Sequence, residues 1–211
     1  HVWKPRANVF PYFIASDAKE LKNYDSPLKF IRLTYADLND QTLEVLKSDK
    51  AVVVILSTHH ANGLGAQRAF MHKLLSSGCD VPVILHREYH ETDIESLQIK
   101  AAADMGAMIL DGFCDGIFLN NTKGDALATD NCMFCILQAT RARISKTEYI
   151  SCPSCGRTLF DLQTTVALVK GATSHLKHLK IGVSLNELND IVDAFIRKNG
   201  AIPSELNYEG F

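Results

Sequence analysis

Short β-branched apolar runs, each followed by a stretch with helical spacing, constrain this fold more than any other feature of the chain. Residues 51–56 read AVVVIL and residues 81–85 read VPVIL. Such runs suit strands buried on both faces and are too short for buried helices. After the first, residues 66–75 place Phe70, Met71 and Leu74 on one helical face. After the second, Asp93 caps a helix expected to run to about Asp104, with Ile94, Leu97 and Ala101 inward. Upstream, residues 28–33 (LKFIRL) alternate as a strand does, and residues 37–46 carry Leu38, Leu43 and Leu46 as a short helix would. Residues 107–110 and 116–119 read as further short strands. Before residue 28 the chain is expected to be extended and irregular, because Pro5, Pro11 and Pro27 restrict the backbone. Strands alternating with helices imply βα units, and so an α/β fold with a parallel sheet or partial barrel.

The pattern changes near residue 120. Residues 120–129 (NNTKGDALAT) are polar and loop-like, and residues 132–143 read as a helix. A strand over residues 147–150 runs into SCPSCGR, a turn rich in Pro and Gly. Leu159, Leu162, Val166 and Val169 then share a helical face over residues 160–170. A strand at 180–183 precedes an amphipathic helix at 185–198 that Gly200 stops. The charge balance, 22 Lys+Arg against 24 Asp+Glu, argues against non-specific nucleic-acid binding. Apolar runs of about 18 residues, as a membrane helix needs, do not occur, so no membrane association is expected. The first residues, HVWKPRANVF, lack a Met and the pattern of a signal peptide, so the chain reads as a fragment or processed piece.

Of six cysteines, Cys79 and Cys114 sit among apolar neighbours and read as buried, inert thiols. The other four form two Cys-x-x-Cys pairs, Cys132/Cys135 and Cys152/Cys155. Paired thiols without an export signal point to metal or redox chemistry before disulfides. In Cys152-Pro153-Ser154-Cys155-Gly156-Arg157, two thiolates three positions apart on a tight turn can ligate one metal or cluster. Backbone N–H groups and Arg157 would stabilise the charge on sulfur. All four cysteines together also fit a four-thiolate zinc site. Cys132 and Cys135, however, fall inside a helical pattern where zinc knuckles favour turns. Spacing alone leaves zinc and one half of an iron–sulfur site equally open.

The segment KTEYISCPSCGRTLFDLQ, residues 146–163, resembles the cysteine motif of the 4-hydroxy-3-methylbut-2-enyl diphosphate synthases, iron–sulfur enzymes of the non-mevalonate isoprenoid pathway. The likeness extends through KFIRLTYADLND (29–40), MILDGFCDGIFL (108–119), ILQATRAR (136–143) and TSHLKHLKIGV (173–183), covering most of residues 1–183. It is closest to the three-domain form, in which an inserted barrel-like domain separates the catalytic barrel from the cluster domain. The resemblance implies an inserted barrel-like βα spacer domain at 1–144 and a small, truncated α/β iron–sulfur domain at 145–211. It implies ring opening and dehydroxylation of 2-C-methyl-D-erythritol 2,4-cyclodiphosphate, with electrons from ferredoxin or flavodoxin passing through a [4Fe–4S] cluster. A bacterial cytoplasm or plastid stroma would follow. By match to the motif, Cys152 and Cys155 would be two of its three cysteine ligands. In the family, the strand matching LKIGV runs into a segment with the third cysteine and a Glu ligand. Here SLNELNDIVDAFIRKNG follows Val183, and no cysteine follows Cys155. The catalytic barrel would precede His1. The polypeptide by itself is therefore expected not to turn over substrate.

Other polar residues carry weaker signals. His59, His60, His86 and His90 flank strand ends, where α/β folds place ligand sites, yet without a third convergent group they read as loop or surface histidines. His175 and His178 fall on a basic, solvated loop. Gly63-Leu64-Gly65 could cradle phosphate or simply make a turn. Asp111 and Asp115 could bind a cation or cap a turn. Glu148 could substitute as a cluster ligand, or pair with Arg143 or Lys146. Two readings from other classes stand beside the synthase: a zinc-stabilised binding module using Cys132, Cys135, Cys152 and Cys155, and a structural spacer.

Overall fold

The computed structural model describes residues 6–151 and 162–183, in two compact units, the first ending at Arg143 and the second beginning at Ile144. In the first unit, five strands form one parallel sheet in sequential order: β1 (Tyr12–Ile14), β2 (Lys29–Leu33), β3 (Val52–Ser57), β4 (Val83–Tyr89) and β5 (Gly116–Asn121). Helices α1 (Asp40–Ser48), α2 (Gly63–Ser76) and α3 (Ile94–Leu110) connect β2 to β5, and α4 (Ala126–Ala139) follows. The expected α/β class and parallel sheet are thus present.

Right-handed crossovers between sequential neighbours put every connecting helix on the same face of a sheet. Burial agrees. Register rows such as Ile31–Val54–Val83 and Leu33–Leu56–Leu85 belong to the core, where Phe70, Leu74, Leu97, Met105 and Met108 pack on them. Of the residues of opposite parity, Tyr12, Ile14 and Phe118 at the sheet's two outer strands are exposed, while Ile55, Ser57 and His86 at its centre are buried. A buried cation tightens the amino-terminal edge: Lys29 Nζ donates to Leu21 O at 2.9 Å and to Asp49 at 2.8 Å. Burial alone would raise the Asp49 carboxyl. The Lys29 and Ala51 N–H hydrogen bonds overcome that and hold it below the ordinary value.

The helix ends are written in the sequence. Asn39, Asn62, Asp93 and Asp125 each accept a hydrogen bond from a backbone N–H three residues on, starting α1 to α4. Gly78 and Gly112 take positive φ just past α2 and α3. There Cys79 N–H reaches Leu74 O and Phe113 N–H reaches Met108 O, the six-to-one closure that glycine permits without strain.

Three local expectations need correction. Residues 107–110 continue α3 rather than forming a strand, because Met105 and Met108 extend its buried stripe past Asp104. The segment before residue 28 is not irregular: Phe13 enters the core on β1, and a 3₁₀ helix at Ala15–Asn23 buries Ala18 and Leu21. Helix α4 starts at Ala126, inside the stretch expected to be a loop, on the Asp125 cap.

The second unit contains β6 (Glu148–Ser151), α5 (Leu162–Ala172) and β7 (Lys180–Val183), with β6 and β7 parallel neighbours. Tyr149 and Thr173 hydroxyls lie 2.8 Å apart, tying β6 to the end of α5. The helix expected at 185–198 lies outside the described residues.

Candidate functional site

Cys152 and Cys155, with Arg157, lie outside the described residues; their flanking elements do not. Cys152 directly follows Ser151, the last residue of β6, and α5 begins at Leu162. The register pairs Glu148 with Lys180 and Ser151 with Val183, so both strands end at one edge. Parallel neighbours lie about 4.8 Å apart. Ser151 and Val183 therefore end β6 and β7 side by side, at the carboxyl ends where open α/β sheets place their ligands. Glu148 Oε2 is buried and has no hydrogen-bond partner among the described residues. An orphaned carboxylate oxygen three residues before the end of β6 marks a place suited to a positively charged or metallic neighbour.

The other cysteine pair is split by its helix. Cys132 is buried in the α4 core, and Cys135 is exposed. Burial, with the neighbouring Cys135, pushes the Cys132 thiol up. Burial also raises the Cys79 thiol, and takes Cys114, with help from Asp115, to about 11. These are the environments of packing thiols. Among the described residues no group of three or more His, Cys, Asp or Glu is arranged to hold a metal ion.

The chain is 69% identical to a 4-hydroxy-3-methylbut-2-en-1-yl diphosphate synthase (flavodoxin) of Parabacteroides distasonis, aligned over 214 positions that cover all of this chain and 35% of the relative. It belongs to that synthase family. The corresponding protein of Phocaeicola vulgatus is 51% identical over 87% of the chain and 30% of its own length. A chloroplastic synthase (ferredoxin) of Oryza sativa subsp. japonica is 33% identical over 81% of the chain and 24% of its own. No family model matches the chain. The chain spans about a third of the length of the first two synthases.

The remaining sequence candidates separate. Asp111 pairs with Arg68 at 2.6 Å, and Asp115 accepts from Val83 N–H at 2.8 Å, so both are structural. Gly63 and Gly65 serve close packing: a Cβ at Gly63 would lie 2.0 Å from Arg87 Nη1, and one at Gly65 would lie 2.7 Å from the capping Asn62 side chain. His90 Nδ1 bonds Thr122, and His178 Nδ1 donates to Ile144 O at 3.0 Å. His59, His60 and His86, by contrast, come together in one cleft of about 200 Å³, lined by Arg32, Ser57, Thr58, His59, His60, His86, Arg87 and Glu88. Arg32, Ser57 and Glu88 were not legible as site residues. The usable signal is parity: Arg32, Ser57, His86 and Glu88 all fall on the sheet face opposite the core.

Proposed function

We propose that this chain is the inserted domain, 1–144, and part of the iron–sulfur domain, 145–211, of an enzyme that reduces 2-C-methyl-D-erythritol 2,4-cyclodiphosphate to 4-hydroxy-3-methylbut-2-enyl diphosphate. The observation that carries the reading is the Ser151–Val183 register, taken with membership of the family. It supports a shared ligand site: β6 and β7 end together, Cys152 follows β6 in sequence, and in the family the segment after the strand matching β7 carries the remaining ligands. These two thiolates would hold a [4Fe–4S] cluster. When bound, the cluster supplies one-electron reduction and an iron able to polarise a substrate oxygen. The orphaned Glu148 oxygen supports a cationic group near this edge.

The chain's own residues have a defined task. β6 and α5 fix the two ends of the cysteine segment, and the Tyr149–Thr173 contact fixes the two relative to each other. In the first unit, sequential parallel strands with helices on one face support a barrel-like reading and a spacer role. The names of the relatives support flavodoxin or ferredoxin as electron donor. Bacterial and chloroplastic relatives support a bacterial cytoplasm or plastid stroma, and no helix among the described residues is long and apolar enough to cross a membrane.

Anaerobic reconstitution with iron and sulfide tests this reading. The intact enzyme should reduce the cyclodiphosphate and lose both cluster absorbance and turnover in Cys152→Ser and Cys155→Ser. The 211-residue chain should give no turnover. Retained iron in both variants, or turnover by the isolated chain, would overturn it.

A further inference from the structure

We propose that the cleft at the carboxyl ends of β2, β3 and β4 binds a small oxyanion, a phosphate or carboxylate group, with Arg32 as its ion-pair partner. The proposal rests on the first unit alone and is independent of the cluster.

The Arg32 guanidinium has no ion pair and no hydrogen bond among the described residues, whereas Lys29 is paired with Asp49, Arg68 with Asp111 and Arg87 with Asp104. Glu88 is the single carboxylate among the residues lining the cleft, and it does not reach Arg32. A free guanidinium beside a concave surface is the usual recognition element for planar or tetrahedral oxyanions.

The donors around it are pre-set. Asn62 N–H donates to His60 Nδ1 at 3.0 Å, so the neutral His60 ring carries its proton on Nε2 and presents an N–H donor. His60 N–H in turn donates to Thr58 Oγ1 at 3.1 Å, which fixes the loop between β3 and α2. The cleft also has a rigid wall. Ser57 Oγ lies 2.7 Å from His86 Nδ1, both residues are buried, and the His86 ring lies against Phe118 with centroids 4.9 Å apart. Burial keeps His86 towards its neutral form, and Arg32, His59 and Arg87 push the same way against Glu88 alone. With the Arg32 guanidinium unpaired and walls lined by hydroxyl, imidazole and guanidinium groups, the small cleft suits an anionic head group rather than a bulky apolar ligand. The histidines do not form a metal centre, because no metal-holding group exists among the described residues.

The test is a titration of the isotope-labelled chain with inorganic phosphate and, in parallel, acetate, at constant ionic strength, following the His59, His60 and His86 ring signals. Either anion should give saturable shifts that chloride does not reproduce, and the tighter one names the head group. Arg32→Gln should weaken binding at least about tenfold, the scale of one charge-assisted hydrogen bond, and Arg32→Lys should restore part of it. Arg32 is exposed, so both variants should keep the native amide spectrum. His60→Gln, on the surface loop, should also weaken the shifts. Absence of saturation with both anions, or unchanged affinity in Arg32→Gln, overturns the proposal.

Discussion

Ser151 and Val183 are register partners at the ends of two parallel strands. Parallel strands cannot be joined by a tight turn, so a helical crossover must separate them in sequence, and α5 does so here. The consequence is that residues more than thirty apart in the chain leave the sheet at the same edge. The proposed ligand set, drawn from the Cys152–Cys155 segment and a later one, calls for two strands that end together, as β6 and β7 do.

Thiol reactivity should follow burial. In the folded chain at pH 7.5, alkylation mapped by peptide mass should modify Cys135 well before Cys79, Cys114 or Cys132. Cys135 is the exposed one of these four, and burial raises the other three thiols. Equal rates for Cys132 and Cys135 would contradict the packing of α4.

Asp104 Oδ2 accepts from Arg87 Nε at 3.1 Å, Arg87 Nη2 at 2.7 Å and the Tyr89 hydroxyl at 2.5 Å. Asp104→Asn should cost about 2–4 kcal/mol in urea unfolding, since it leaves a largely buried guanidinium uncompensated. Gly63→Ala would press on Arg87 and should cost about 1–3 kcal/mol. The two changes share Arg87 and should couple by about 1 kcal/mol, with Gly63→Ala less harmful once Asp104 is gone. Strict additivity would show that Arg87 is not the shared element.

His86 makes stability depend on pH in a definite direction. Burial, reinforced by Arg32, His59 and Arg87 and opposed by Glu88, holds its pKa below the ordinary 6.5. The unfolded chain therefore takes up the proton first on acidification. The His86 contribution is complete above pH 6.5 and falls as the pH drops below it. His86→Gln removes that term along with the Ser57 hydrogen bond, costing about 1 kcal/mol at pH 8. Its deficit against wild type should narrow towards pH 5. A deficit that widens would mean a protonated His86 paired with Glu88.

How much could be read beforehand depended on whether local or non-local forces decide. The β-branched runs at β3 and β4, with Asp93 as a cap, gave the βα alternation directly, because strand burial and capping are local signals. The extent of α3 did not follow, since it depends on Met105 and Met108 meeting a sheet built from distant residues. β1 was hidden because Phe13 gains its burial only by pairing beside Ile31. The cysteine turn was legible as chemistry from spacing and as a family motif from its full sequence. The cleft was not: Arg32, Ser57 and His86 lie on three strands, and only the register brings them together.

The central claim is that Cys152 and Cys155 hold iron and sulfide. Metal and acid-labile sulfide analysis of the intact protein, purified without oxygen, tests it most directly. The account predicts about four iron and four sulfide per polypeptide, little zinc, and loss of both in Cys152→Ser and Cys155→Ser. Stoichiometric zinc that disappears only when Cys132 and Cys135 are changed as well would contradict it.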